Sequence, residues 1–341
     1  MSKPSRVVFF GELLLRLSPP GNEMLLQSAR LDARFGGAEA NVAASLALFG
    51  HHSVMVSALP DQAIGHACAG ELRRHGVDTS ALRFAEGRMG VYYLTPGAMH
   101  RPSEVIYDRA GSVFATTPAE AYDWPRLLEG AQWLHLSGIN LALCEATAQA
   151  AMVAVSAARS LGVRVSFDGN FRGKLWGARA AEAPAWLRRI MAEADLIFGG
   201  DRDIALALEM AFPQPQADAR FHAAACAAFS AFPHLTYIAA TERRHASVDD
   251  QHLGGLLATR ERAFYTTEHH SLTGIVDRIG GGDAFAAGLL HGLLREMPEQ
   301  AALDFAVAAA CLKHSVPGDV NLVREADVQA FLKQEGFEVR R

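Results

Sequence analysis

Short apolar runs rich in β-branched and aromatic residues alternate with longer Ala/Leu-rich segments of helical period along this chain. That rhythm restricts it to a mostly parallel sheet covered by helices, an α/β architecture. The runs predict strands at Val7–Phe10, Ser53–Ala58, Trp133–Ser137, Arg164–Asp168, Leu196–Phe198 and Leu235–Ala240. Between them, Ala38–Phe49 puts Val42, Leu46 and Phe49 on one helical face and stops at Gly50, while Ala301–His314 ends before Pro317-Gly318. No internal repeat, low-complexity tract or long linker interrupts the pattern, so residues 1–341 read as a single α/β domain.

Two segments break the rhythm. Leu13–Leu17 with Leu25–Phe35, and Arg88–Leu94 with Glu104–Arg109, alternate apolar and polar residues and predict antiparallel strands outside the main sheet. Segments 12–36 and 87–112 are therefore expected to pair into a small β lid over the sheet's carboxyl edge, where α/β folds bind ligands.

The strongest chemical signal is Val276-Asp-Arg-Ile-Gly-Gly-Gly-Asp-Ala-Phe-Ala-Ala-Gly288. Gly280, Gly281 and Gly282 permit a tight turn whose N–H groups face an anion at the positive end of a helix dipole. Asp283 beside such a phosphate is an odd choice unless it takes a proton from the attacking hydroxyl, which points to phosphoryl transfer. A plain glycine turn with Asp283 as helix cap is the simpler alternative. Gly36-Gly37-Ala38-Glu39-Ala40-Asn41 opens a second helix after a lid strand, where Asn41 either hydrogen-bonds a polyhydroxy ligand or serves as a core-facing amide. Arg88-Met-Gly-Val-Tyr-Tyr93 and Tyr107-Asp108-Arg109 place aromatic rings, hydroxyls and a guanidinium on the lid, although an edge-strand arginine such as Arg109 is commonly only a solubilising charge. Arg172 follows the strand that ends at Asp168. If Arg109 and Arg172 converge, they imply a small carboxylate or phosphate, because the guanidinium fork pairs with such groups bidentately.

Other chemistries are disfavoured. A net charge of -5 and a pI near 6.3, with no basic block, argue against nucleic-acid and membrane partners. Cys68, Cys144, Cys226 and Cys311 form no CxxC pair and read as buried thiols of a reducing cytoplasm. No apolar run approaches about 18 residues, and the polar Met1–Arg6 segment does not resemble a leader. Gly169–Lys174 departs from a P-loop in its spacing and lacks the following Ser or Thr, and the adjacent pairs His51-His52 and His269-His270 lack metal-ligand spacing.

With both glycine segments considered together, the chain resembles the ribokinase-like (PfkB) carbohydrate kinases from end to end. Gly36 to Gly50 looks like the N-terminal signature of that family and Asp277 to Asp283 like its C-terminal one, with Arg278 and Gly281 in place of the commoner Thr and Ala. The resemblance implies a ribokinase-like fold with a β lid, ATP and Mg2+ as cofactors, Asp283 as catalytic base and the 280–282 backbone as anion hole. Within the family the likeness is greatest to the kinases of 2-keto-3-deoxygluconate, through Gly-Gly-Ala-Glu-Ala-Asn, Tyr107-x-Arg109 and Asp168-x-Asn-x-Arg-x-x-Leu-Trp176. That likeness implies Gly36, Gly37, Asn41, Tyr92, Tyr107, Arg109 and Arg172 around a sugar acid. Thr241, Arg243 and His314 are implied at the nucleotide. The family's Asn-x-x-Glu element falls at Gly200 to Asp203, so Asp203 is expected to reach magnesium through water. The resemblance also leaves room for a monovalent cation held by carbonyls near Asp277 and at 315–319. A homodimer through the lid is expected from its open strand edges. A fructokinase-like acceptor and a non-catalytic sugar-acid sensor remain as alternatives.

Overall fold

The computed structural model describes residues 5–245 and 247–333. Its strands, in chain order, are β1 (Arg6–Phe10), β2 (Leu14–Ser18), β3 (Asp32–Gly36), β4 (His52–Pro60), β5 (Leu82–Ala85), β6 (Gly90–Thr95), β7 (Glu104–Asp108), β8 (Trp133–Ser137), β9 (Arg164–Asp168), β10 (Leu196–Phe198), β11 (Tyr237–His245), β12 (Asp250–Thr259), β13 (Phe264–Thr266) and β14 (His270–Thr273). Ten of them form one sheet in the order β13-β12-β11-β10-β9-β8-β1-β4-β5, with β14 also on β12, and the other four form a separate sheet, β3-β2-β6-β7. From β11 through β5 every pairing is parallel, whereas β12 joins β11, β13 and β14 antiparallel. The chain moves one way from β1 to β4 and the other way from β8 to β11, so the strand order reverses at β1/β8. Open α/β sheets bind ligands in the crevice beyond such a reversal.

Alternation along the central strands fills a core on each face. Val7 and Phe9 pack on one side with the helices Ala38–Leu48, Gly281–Leu294 and Glu299–Lys313, while Val8 and Phe10 pack on the other with Glu145–Ser160 and Ala183–Met191. Strands with both faces covered read as continuous apolar runs. For that reason β8, β9 and β10 begin and end where the sequence predicts.

The departures have local causes. Leu235 precedes its strand because the N–H groups of Thr236 and Tyr237 both turn to Asp195 O, and β11 instead continues to His245 against β12. In the small sheet only Asp32–Gly36 of the 25–35 segment is extended; residues 20–27 turn after Pro19-Pro20, with Glu23 N bonded to Pro20 O and Gln27 N to Met24 O. The two lid segments meet through β2 and β6, which are parallel rather than antiparallel, while β2–β3 and β6–β7 keep the antiparallel pairing. Of the cysteines, Cys68 and Cys311 are buried, but Cys144 is half-buried and Cys226 exposed, correcting the expectation that all four are interior; all four are free thiols. Among the described residues no helix is long and apolar enough to cross a membrane.

Candidate functional site

The glycine run does start a helix. Gly280 caps Gly281–Leu294 with φ 80°, and a Cβ there would lie 1.9 Å from Asp319 O, so both conformation and space demand glycine. Gly281 backs onto His314, whose Cε1 would stand 2.8 Å from an added Cβ, while an added Cβ on Gly282 would meet nothing within 4 Å. Gly282 therefore presents the open side of a helix start whose first N–H groups lack intrahelical acceptors.

Asp283, in the first turn, receives a hydrogen bond at 2.7 Å from Asn41 Nδ2, which the helix Ala38–Leu48 carries in from the far side of the cleft. Asn41 can reach because Gly37 lets that helix begin against β1's exit: a Cβ on Gly37 would lie 2.4 Å from Glu12 O. Desolvation pushes the Asp283 carboxyl up to about 6, assisted by the charge of Asp319 and opposed by the Asn41 bond, Arg172 and Lys313.

Two cavities meet here. One, of about 360 Å3, is lined by Gly37, Asn41, Tyr92, Tyr107, Arg109 and Asp283 among others; a neighbour of about 610 Å3 is lined by Gly200, Asp203, Thr241 and Phe285. Asp168, Asn170, Arg172 and Gly282 belong to both walls. A ligand in either cavity ends beside the start of the same helix.

The expected arginines converge on the first cavity, yet they differ in state. Arg172 sits on the loop after β9, set by an Asx turn in which Asp168 Oδ1 accepts from Asn170 N at 3.1 Å and Asn170 takes φ 38°. Its Nε donates to Asn170 Oδ1 at 3.0 Å and its Nη1 to the Tyr107 hydroxyl at 3.2 Å, and it is exposed. Arg109 is buried and already paired: Nε donates to Glu12 Oε2 at 2.6 Å and Nη2 makes a second contact with the same carboxylate, whose other oxygen accepts from Ser112. Tyr92 is likewise engaged, its hydroxyl donating to Asp319. Gly36 stands behind the wall, where a Cβ would lie 2.2 Å from Asp319 Oδ2.

In the larger cavity Asp203 Oδ2 accepts from Gly200 N at 2.9 Å, and burial raises this carboxyl. Thr241 lines the wall directly. Arg243 and His314 stand behind Gly281: Arg243 Nη1 donates to Gln251 Oε1 at 2.7 Å and to His314 Nε2 at 3.1 Å. His314 Nδ1 bonds Ala310 O at 2.6 Å, which assigns its proton to Nδ1 and leaves Nε2 as acceptor. Burial pulls His314 down to about 4, so it is neutral at physiological pH. Burial and Arg278 pull Arg243 down to about 10, so it remains charged.

Several site residues carried no sequence expectation of their own. Glu39 accepts from Ser137 Oγ at 2.6 Å and is driven up to about 7, mainly by burial. Asp168 is raised well above the usual carboxylate range by burial and by Asp283, Asp203 and Glu39. Asp319 joins Tyr92 to Arg16, whose Nη1 lies 2.7 Å from Asp319 Oδ1. Asp168 was legible as the acid at a buried strand's carboxyl end; the other two owe their place to packing between distant segments. Glu39 and Asp168 are both raised, so this part of the cleft resists gaining negative charge and readily holds a proton.

Comparison with known proteins identifies the family. The profile of the pfkB family carbohydrate kinases matches residues 4–228 and 265–326. The 2-dehydro-3-deoxygalactonokinase of Haloferax volcanii is 32% identical over 331 residues, which span 96% of this chain and 97% of that protein. The crystal structure of 2-dehydro-3-deoxygluconokinase from Thermotoga maritima superposes with a TM-score of 0.92 at 33% identity, covering 96% of this chain and 99% of the other. Fructokinase-2 of Solanum habrochaites is 28% identical over 298 residues, 85% of this chain and 82% of its own. The chain belongs to the pfkB family of carbohydrate kinases.

Proposed function

We propose that this sugar kinase uses ATP to phosphorylate the 6-hydroxyl of 2-keto-3-deoxygluconate, giving 2-keto-3-deoxy-6-phosphogluconate and ADP. The reading rests above all on Asp283, which lines the smaller cavity next to Gly282, where that cavity meets the larger one, with an open arginine, Arg172, on the shared wall. The sugar acid takes the smaller cavity. Its carboxylate pairs with Arg172 and the Tyr107 hydroxyl, while Asn41 and the Tyr92–Asp319 pair face its hydroxyl groups and Gly36 and Gly37 keep the wall close. Arg109 adds positive charge, reduced by Glu12. A pyranose closed through the 6-hydroxyl would lack the nucleophile, so the open-chain or furanose form reacts.

Asp283 accepts the proton as the hydroxyl oxygen attacks the γ-phosphorus and the bond to the ADP oxygen breaks. Backbone N–H groups of Gly280, Gly281 and Gly282 stabilise the charge on the transferring group, with Arg243 behind them, neutral His314 orienting Arg243, and Thr241 beside the phosphates. Magnesium would supply charge neutralisation at the phosphates. It binds with few protein carboxylates and several waters, which suits Asp168 and an Asp203 acting through water. The small sheet acts as a lid that excludes water from the reaction. Its edges, β3 and β7, are open and β7 exposes Ile106 and Tyr107, which supports a homodimer through the lid. ATP supply and free thiols favour a cytoplasmic location.

The deciding experiment offers 2-keto-3-deoxygluconate, its galactonate epimer, gluconate, fructose and ribose with Mg·ATP, detecting ADP and locating phosphate in the product by mass and NMR. Phosphorylation of the gluconate form at carbon 6 is expected. A fructose preference is the second reading, favoured by the neutralisation of Arg109 by Glu12, and would remove the sugar-acid assignment.

A further inference from the structure

Lys313 ends the helix Glu299–Lys313 with no exposed surface. A fully buried lysine is rare because its ammonium loses its hydration, and it must be compensated by nearby oxygens. Here Nζ donates to Val316 O at 3.0 Å and to Asp277 O at 3.4 Å; burial pulls the ammonium down from its ordinary value, and the charges of Asp277 and Asp319 oppose that pull and favour its protonated form. The two carbonyls come from separate loops. One, at 275–280, leads into the phosphate-facing helix; the other, at 314–319, follows Lys313 itself.

Asp277 ties the same loops by its side chain. Oδ1 accepts from Ile279 N at 3.0 Å, and Oδ2 accepts from Gly318 N at 2.9 Å while Arg16 Nη2 lies 2.8 Å away. Lys313 also touches the turn directly, since a Cβ on Gly280 would lie 3.3 Å from Lys313 Cε and 1.9 Å from Asp319 O. Main-chain carbonyls from two loops around one positive charge are the environment a potassium or ammonium ion needs. In this chain a side-chain ammonium fills it, so the residues present do not fit a free monovalent cation.

We propose that Lys313 is a positioning residue that serves as a built-in monovalent cation: its ammonium, held by the carbonyls of Asp277 and Val316, fixes the Gly280–Gly282 turn for phosphate binding and makes the enzyme independent of added potassium. The inference rests on the chain being a sugar kinase, whichever sugar it takes.

The test uses the full-length protein with Mg·ATP as tetramethylammonium salts and adds potassium, ammonium, sodium or lithium chloride at constant ionic strength. Both turnover and ATP affinity by calorimetry are read. Wild type should vary less than about twofold across the salts, whereas Lys313→Ala should lose about 10- to 1,000-fold in kcat with a nearly unchanged sugar KM. Potassium or ammonium, but not lithium, should restore part of that loss and of the variant's ATP affinity. Potassium activation of the wild type, or a folded Lys313→Ala that no cation repairs, would overturn the proposal. If Lys313→Ala does not fold, Lys313→Met keeps the packed stem, and normal potassium-free turnover in it would be equally fatal. The calorimetric arm needs no acceptor, so an error in the assigned sugar cannot be mistaken for failure here.

Discussion

Asn41 Nδ2 lies 2.7 Å from Asp283 Oδ2, joining the starts of two helices 242 residues apart in sequence across the mouth of the cleft. The bond holds one carboxylate oxygen and favours the ionised form, against desolvation that pushes Asp283 up to about 6. In the proposed role of base, a carboxyl at that value is poised for proton transfer near neutrality. The activity should therefore fall as pH drops through about 6, where the carboxyl gains a proton and can no longer accept one. Asp283→Asn should lower kcat by about two to four orders of magnitude with sugar and ATP binding retained. Asn41→Ala should move the acidic limb of the kcat profile to higher pH, since the ionised form loses a donor. A limb that stays in place would separate Asn41 from the base.

Arg172 offers the one guanidinium of the pair not already matched by a carboxylate. Because it is exposed, its pairing with the proposed sugar acid would be screened, and Arg172→Ala should weaken substrate binding by about 1–3 kcal/mol, mainly in KM. Tyr107→Phe should cost less, roughly 0.5–1.5 kcal/mol, through the lost hydroxyl and the looser arginine. Steady-state kinetics with the acid and with its reduced, uncharged analogue check this: equal losses for both would place the carboxylate elsewhere.

Arg109 makes a different prediction from the arginine it was expected to match. Its side chain and that of Glu12 are 5% and 1% exposed. Arg109→Ala strands a buried carboxylate and should destabilise the fold by about 3–5 kcal/mol. The double variant Glu12→Gln/Arg109→Met should recover much of that in thermal denaturation. No recovery would mean that Arg109 acts through packing alone.

Such pairings mark the boundary of what could be read from the chain. The parallel core strands β8, β9 and β10 were legible because each carries a short buried run of Trp, Leu, Val, Ile or Phe with both faces covered. β12 was not, since Gly254-Gly255 looks like a break. Gly255 is there because a Cβ would lie 2.6 Å from Val307 Cγ2, where the helix Glu299–Lys313 packs close. The parallel β2–β6 join depends on a crossover through β4 and β5 that no local pattern records. At the site, Asp283, Asn41 and the glycines announce themselves by sitting at helix starts. The partners that tune them do not: Glu12 finds Arg109 from 97 residues away, and Asp319 finds Tyr92 from 227. Convergence at a sheet edge, rather than local spacing, decides which arginine stays open.

Glu39 shows how the site strains the fold. It is 1% exposed and driven up to about 7 by burial, ahead of the opposing Ser137 bond and the added push from Asp283. A carboxyl raised above its unfolded value binds its proton more tightly when folded. Its stabilising contribution is therefore complete below the unfolded value near 4.5 and is lost as pH rises through about 7. Glu39→Gln keeps an amide oxygen for Ser137 but cannot ionise. The variant should match wild type in thermal denaturation near pH 5 and exceed it at pH 8, by at most about 3 kcal/mol. Asp283 follows the same sign, with a smaller effect because its carboxyl opens onto the cavity. If Glu39→Gln is no more stable than wild type at pH 8, then Glu39 is ionised without penalty, and the proton-rich cleft inferred around Asp283 does not exist.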